Sequence, residues 1–141
     1  MTNRTTLLPE QKEQTRHGGC LFPFQKYITV LSDLCPSVTP HWHDEAELTL
    51  IKRGRCTYQI RFETCEAEQG DLLFVPPAAL HSLMIPSKSR YESETYVFHM
   101  SFLGANTADI CAVRYLAPVA AQSLLLPCHI RKGHPAHPEL M

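Results

Sequence analysis

The sequence predicts an all-β sandwich or barrel, and three observations carry that prediction. Eleven prolines in 141 residues sit badly with a helical protein. From about residue 20 to 103, short runs rich in β-branched and aromatic residues recur at close spacing, divided by turn signals. In residues 55–62, Cys56, Tyr58, Ile60 and Phe62 alternate with Arg55, Thr57, Gln59 and Arg61, the period-two pattern of a strand with one wet face.

Taken in order, residues 1–19 are polar and aperiodic, an arm or mobile lead-in. Residues 20–24 and 27–31 read as two strands separated by Gln25-Lys26, with Pro23 confining the first to a sheet edge. Residues 33–40 read as a turn-rich connector marked by Pro36 and Pro40. Strands follow at 41–44, 47–53 and 55–62, with Gly54 as turn or bulge between the last two. Residues 64–68 return, Gln69-Gly70 turns the chain, and the buried strand 71–75 ends at Pro76-Pro77, which cannot donate to a ladder. Strands at 80–85 and 94–103 complete the set. Asn106 is placed to cap a short helix over 109–115 that Pro118 stops, and 123–126 reads as a final strand. Residues 127–141 form a Pro/His/Gly connector whose His129, His134 and His137 read as solvated, and residues 138–141 resemble a first helical turn.

The composition narrows the function. Hydrophobic residues at 44% and charged residues at 19% are a globular balance. No apolar run approaches the ~18 residues of a membrane span, and the first twenty residues lack the apolar core of a secretory signal. A cytoplasmic location is expected, with six reduced cysteines, none in a Cys-x-x-Cys pair. The net charge is −1 and the pI about 6.7, so the chain has no basic footprint for nucleic acid. No Gly-x-Ser-x-Gly elbow or phosphate-cradling loop is present, and no catalytic residue is assigned.

The informative segment is His41-Trp42-His43-Asp44-Glu45-Ala46-Glu47. Strand alternation points His41 and His43 to one side and Trp42 to the other, where it packs. Glu47 follows after a corner, and His81 opens a later strand. Imidazoles with a carboxylate suit Zn, Fe, Ni, Cu or Mn better than Ca. Three readings stay open for His41, His43, Glu47 and His81: metal ligands, contacts to an organic effector, or a hydrogen-bonded structural network. Tyr58 and Ile60 face inward and join the ligand-site candidates, with ordinary core as the alternative.

His41-x-His43-x3-Glu47-x6-Gly54 and Gly70-x5-Pro76-x-Ala78-x2-His81 resemble the two cupin motifs. Three positions depart from the pattern: Cys35 and Ala78 stand where glycines are expected, and Ile85 where an asparagine is. The resemblance implies a cupin double-stranded β-helix, a jelly-roll barrel, with a short helical or irregular C-terminal segment. It also implies that His41, His43, Glu47 and His81 hold one divalent transition metal (Zn, Ni, Fe or Mn) if any cofactor is bound.

A narrower likeness lies in His17-Gly18-Gly19, Phe22-Pro23-Phe24, His41 to Leu48, Gly70 to Pro77, Leu80-His81-Ser82, Leu125-Leu126-Pro127 and His129-Ile130. Together these are similar to the N-terminal effector-binding domains of AraC-family transcriptional regulators. The likeness implies an arm over 1–19, a sensor domain over 20–126, and a linker over 127–141 toward a DNA-binding domain that the chain lacks. The implied partners are a small-molecule effector such as a sugar or other metabolite, a second copy in a homodimer, and DNA through that helix-turn-helix domain, with no membrane. The competing expectation is a small metal-dependent cupin enzyme, a dioxygenase or isomerase, supported by the complete set of three histidines and a glutamate.

Overall fold

The computed structural model describes residues 7–104 and 109–141. Nine strands form in chain order: β1 (Phe24–Leu31), β2 (Ser37–His41), β3 (Ala46–Arg53), β4 (Arg55–Ile60), β5 (Glu63–Glu68), β6 (Leu72–Val75), β7 (His81–Met84), β8 (Tyr91–Phe98) and β9 (His129–Ile130). One sheet has the order β1-β8-β3-β6-β9 and the other β2-β7-β4-β5, with antiparallel pairing throughout. Successive strands repeatedly change sheets, which is the jelly-roll arrangement. The all-β expectation holds.

Alternation decides which side chains fill the barrel. Tyr58 and Ile60 on β4, Ile51 on β3, Leu73 and Val75 on β6, and Tyr91 on β8 belong to one buried cluster. The opposite face of β1 is bare, with Ile28 and Val30 exposed. Two inward threonines, Thr49 and Thr95, are register partners on β3 and β8, and their hydroxyls satisfy each other at 2.8 Å. Gly54 is where the chain leaves one sheet for the other. Its φ is +83°, and a Cβ there would run into the Arg90 carbonyl oxygen, so the crossing requires glycine.

Several sequence expectations are corrected. Gln25 and Lys26 do not interrupt a strand; β1 runs through them, and Lys26 pairs with Glu94 of β8 at 3.2 Å. The connector at 33–40 contains β2, which includes Pro40. The proline is tolerated because β2 is an edge strand whose register shifts between Val38 and His41. No strand covers 41–44: β2 ends at His41. Phe62 lies in the turn after β4 and is exposed, so it leaves the inward series. Residues 123–126 form no strand, and the final strand is β9. The helical segment spans 110–120, with a π-helical stretch at Ala112–Leu116 running into α1 (Ala117–Ala120). Pro118 lies two residues after the π-helical stretch and does not stop the helix, which runs on to Ala120. Asn106 lies outside the described residues. The expected terminal turn forms as α2 (His137–Leu140).

The C-terminal stretch is tied to the barrel. Asp71 accepts from His129 Nε2 at 2.8 Å and from the Lys132 amide at 3.2 Å. His137, itself buried, bonds the Gly70 carbonyl through Nε2 at 2.6 Å. His129 and His137 are therefore packed rather than solvated. No helix of the described residues is long and apolar enough to cross a membrane. All six cysteines are free. Burial pushes the Cys56 thiol up to about 12 and Cys65 to about 11, which keeps both protonated and unreactive.

Candidate functional site

The fold brings together the four residues that the sequence singles out. His41 ends β2, His43 follows in the connector, Glu47 is the second residue of β3, and His81 opens β7. One ligand atom from each lies within 4.8 Å of the others. His41 and His81 are register partners, and their rings stand 4.2 Å apart between centroids. His43 converges although it is not in a strand. Its carbonyl accepts the Ala78 amide at 2.8 Å, which fastens the connector to the β6–β7 turn. Trp42 is not among the cavity-lining residues, and its indole meets Leu8 and Lys12 of the arm.

Each imidazole is oriented by the same device. His41 Nδ1 bonds the Thr39 carbonyl at 2.9 Å, His43 Nδ1 the Glu45 carbonyl at 3.1 Å, and His81 Nδ1 the Ala79 carbonyl at 2.8 Å. A carbonyl only accepts, so each Nδ1 carries its proton and donates. The Nε2 atoms are left without backbone partners, which is how ligating histidines are held in metal sites. His43 Nε2 sits 2.9 Å from Glu47 Oε1, while His81 Nε2 is 3.6 Å from the same oxygen and, although buried, has no hydrogen-bond partner.

The electrostatics follow from burial and this proximity. Burial works against the Glu47 charge, but the hydrogen bond from His43 and the electrostatic pull of the two histidines outweigh it and hold the carboxyl far below its ordinary range. Burial also opposes a charged His43, yet the bond to Glu47 prevails and raises its pKa above 6.5. For His41 burial wins, reinforced by His81, and its pKa falls below 6.5. Two acceptors, a carboxylate and a bare imidazole nitrogen, cannot face each other at 2.9 Å without a proton or another cation between them. The orphaned Nε2 of His81 and the mixed nitrogen and oxygen donors therefore fit a divalent transition metal.

His41, Glu47 and His81 border a cavity of about 200 Å³, and His43 lies behind them against Glu47. Of the two further candidates, Tyr58 lines it. Ile60 is buried in the core beneath and is absent from the lining. Hydroxyls of Thr29, Ser93 and Thr95 supply the polar part of the opposite wall. Among the described residues no lysine or arginine lines the cavity. Among the described residues, four buried side-chain polar atoms have no partner, and three of them, His17 Nε2, His81 Nε2 and the Tyr91 hydroxyl, belong to residues of this lining.

Sequence reading missed Glu13 and His17. The described part of the arm does not trail away. It runs beside Trp42, whose amide donates to the Gln11 carbonyl and whose carbonyl accepts the Glu13 amide, at 3.0 and 2.9 Å. The Trp42 indole N–H donates to the Leu8 carbonyl at 3.0 Å, and Lys12 pairs with Asp44 at 2.7 Å. Gly18, at φ +76°, then turns the chain back against Phe24 and leaves His17 94% buried, because its relative exposure is 6%. The only signal in the sequence was His17-Gly18-Gly19, a histidine before a turn-forming pair.

The AraC-like ligand binding domain family matches residues 35–134. The chain belongs to this family. An uncharacterized HTH-type transcriptional regulator of Bacillus subtilis (strain 168), YdeC, is 37% identical to this AraC-like domain over 71 residues, which are 50% of this chain and 24% of that protein. The matched segment thus covers about a quarter of the relative's length. The plu4264 protein of Photorhabdus luminescens aligns with a TM-score of 0.51 and 22% identity, over 57% of this chain and 68% of its own. A cupin-like protein of Thermotoga maritima aligns with a TM-score of 0.51 and 20% identity, over 58% and 62%. A predicted oxalate decarboxylase from the same organism aligns with a TM-score of 0.50 and 20% identity, over 55% and 68%. These likenesses establish that the AraC-like domain has the cupin fold. The family match makes it an AraC-like ligand binding domain.

Proposed function

We propose that this domain binds a small polar metabolite in the barrel cavity and passes the binding event to a DNA-binding region outside these residues. The observation that carries the reading is that three residues with a partnerless buried polar atom, His17, His81 and Tyr91, line one cavity. Buried polar groups are ordinarily satisfied, and leaving one unpaired costs about 1–3 kcal/mol. A ligand offering donors and acceptors repays that cost. At about 200 Å³ the cavity suits a compact metabolite and not a drug-sized molecule. Among the described residues the lining holds two glutamates and no lysine or arginine, which disfavours a free anion.

A divalent transition metal fits His41, His43, Glu47 and His81; when bound, it supplies a Lewis-acidic position to which an oxygen or nitrogen of the effector coordinates. The protein's own work is to orient three imidazoles through backbone carbonyls and to present hydroxyls to the remainder of the ligand. Coupling to DNA follows if the effector binds two states of a homodimer with different affinity. In this reading the protein is cytoplasmic and not an enzyme, and residues 127–141 lead toward the DNA-binding region. The complete histidine–glutamate set favours one alternative, a metal-dependent cupin enzyme.

The test is calorimetric titration of the chain with Zn²⁺ or Ni²⁺, then with neutral polyols and small carboxylic acids with and without metal. Binding of a metabolite without its conversion, lost in His43→Ala with Glu47→Ala while the fold persists, supports the sensor. Turnover supports the enzyme. Unchanged binding in the folded double variant overturns the site.

A further inference from the structure

We propose that Glu13, His17 and His43 form a second position for a divalent transition-metal ion, one that fixes the N-terminal arm against the cavity. One ligand atom from each of the three lies within 4.8 Å of the others. The position shares only His43 with the barrel set and takes its other two ligands from the arm. Nothing in the family match reaches these two residues, which precede residue 35.

The geometry around His17 carries the argument. Its Nδ1 is held by the Tyr27 hydroxyl at 2.7 Å, which fixes the ring. Burial, with the nearby carboxylates of Glu13, Glu45 and Glu47, raises the Tyr27 pKa and keeps it a phenol. Nε2 is the free end. It is buried, lies 3.3 Å from Glu13 Oε2 and makes no hydrogen bond. Its ring stands 5.1 Å from that of His43 between centroids. Glu13 Oε2 also lies 3.8 Å from His41 Nε2. The Glu13 carboxylate and the His17 and His43 imidazoles thus lie within reach of one ion, and among the described residues no lysine or arginine lines the adjoining cavity. A divalent cation satisfies all of them, because nitrogen and carboxylate oxygen are ordinary first-row ligands.

A consequence follows from the sharing. His43 has one nitrogen to give, since Nδ1 is committed to the Glu45 carbonyl. An ion that takes His43 in the arm position leaves the barrel set with His41, Glu47 and His81. An ion that takes it in the barrel position leaves the arm with Glu13 and His17 alone. The arm is therefore metal-linked through a histidine that both positions require.

Hydrogen exchange of the whole chain, with Zn²⁺ as the probe, tests this. The Glu13 amide, which donates to the Trp42 carbonyl, reports arm docking directly. At a Zn²⁺ concentration about ten times Kd, exchange over residues 11–17 is expected to slow about tenfold. Glu13→Gln is expected to abolish that slowing while leaving the exchange of β3, β6 and β8 as in the wild type. A Glu47→Gln, His81→Gln variant, which dismantles the barrel set, is expected to retain Zn²⁺-dependent arm protection. If that variant does not fold, the Glu13→Gln comparison decides alone. Zn²⁺ binding without arm protection, or arm protection that survives Glu13→Gln, overturns this second position and leaves the barrel site standing. No Zn²⁺ binding by the wild-type chain overturns both metal positions.

Discussion

His41 and His81 are register partners on the edge pair β2–β7, and their rings meet at 4.2 Å between centroids. Forty residues separate them in the chain, and strand pairing alone sets their distance. Each is oriented by a carbonyl two residues earlier, Thr39 for one and Ala79 for the other. Burial, reinforced by His81, lowers the His41 pKa, which leaves its Nε2 lone pair available to a cation other than the proton.

Metal uptake should therefore release a proton from His43, whose pKa is raised above 6.5 by its bond to Glu47 against the opposing effect of burial. Zn²⁺ affinity is expected to climb with pH through the range just above the ordinary histidine value and then level off. The same raised pKa means that the His43 proton stabilises the metal-free fold fully below pH 6.5, and that this contribution is lost as pH rises through the folded value. Calorimetry in buffers of different ionisation enthalpy should find about one proton released per ion near neutral pH. A pH-independent affinity would contradict the assignment.

Acid stability should depend on Asp71. Burial opposes its charge, but His129 and the Glu68 and Lys132 amides outweigh that and lower its pKa below 3.8. A lowered carboxylate pKa adds stability above the unfolded value, and this is lost as pH falls through the folded one. Asp71→Asn should cost about 1–3 kcal/mol at neutral pH and flatten the acid limb of a urea-melt series. β9 should be the first element to exchange.

Tyr91→Phe removes a buried hydroxyl that has no partner. The ligand-free variant should unfold within about 0.5 kcal/mol of wild type, because no bond is broken. Effector affinity should fall by about tenfold, the loss of one net hydrogen bond of roughly 1.4 kcal/mol. Thermal melts with and without effector separate the two effects.

Gly54→Ala should destabilise by more than about 1 kcal/mol, since the left-handed conformation is strained for alanine and its Cβ meets the Arg90 carbonyl. Gly19→Ala is the control: an added Cβ there meets nothing within 4 Å, and its effect should stay within about 0.5 kcal/mol. Chemical denaturation of the two variants side by side checks the pair.

The sequence was sufficient for the strand content, because alternation is a local property that one period of the chain displays. It also singled out His41, His43, Glu47 and His81, whose ligand atoms the fold brings within 4.8 Å of one another. It placed Tyr58 and Ile60 on one face correctly but could not tell cavity from core; that difference depends on how far along the barrel axis each register places them. The strand ending at His41 instead of Asp44 was equally illegible, since an edge strand with a register shift tolerates Pro40 where the interior of a sheet does not. Only the tertiary structure decided the roles of Glu13, His17, His129 and His137. A polar arm and a Pro-rich tail have no periodicity to read, and their order comes from contacts with Trp42, Tyr27, Asp71 and Gly70, partners between 10 and 67 residues away. Local sequence specifies a strand's face, but long-range docking is fixed only when the barrel offers those partners a surface.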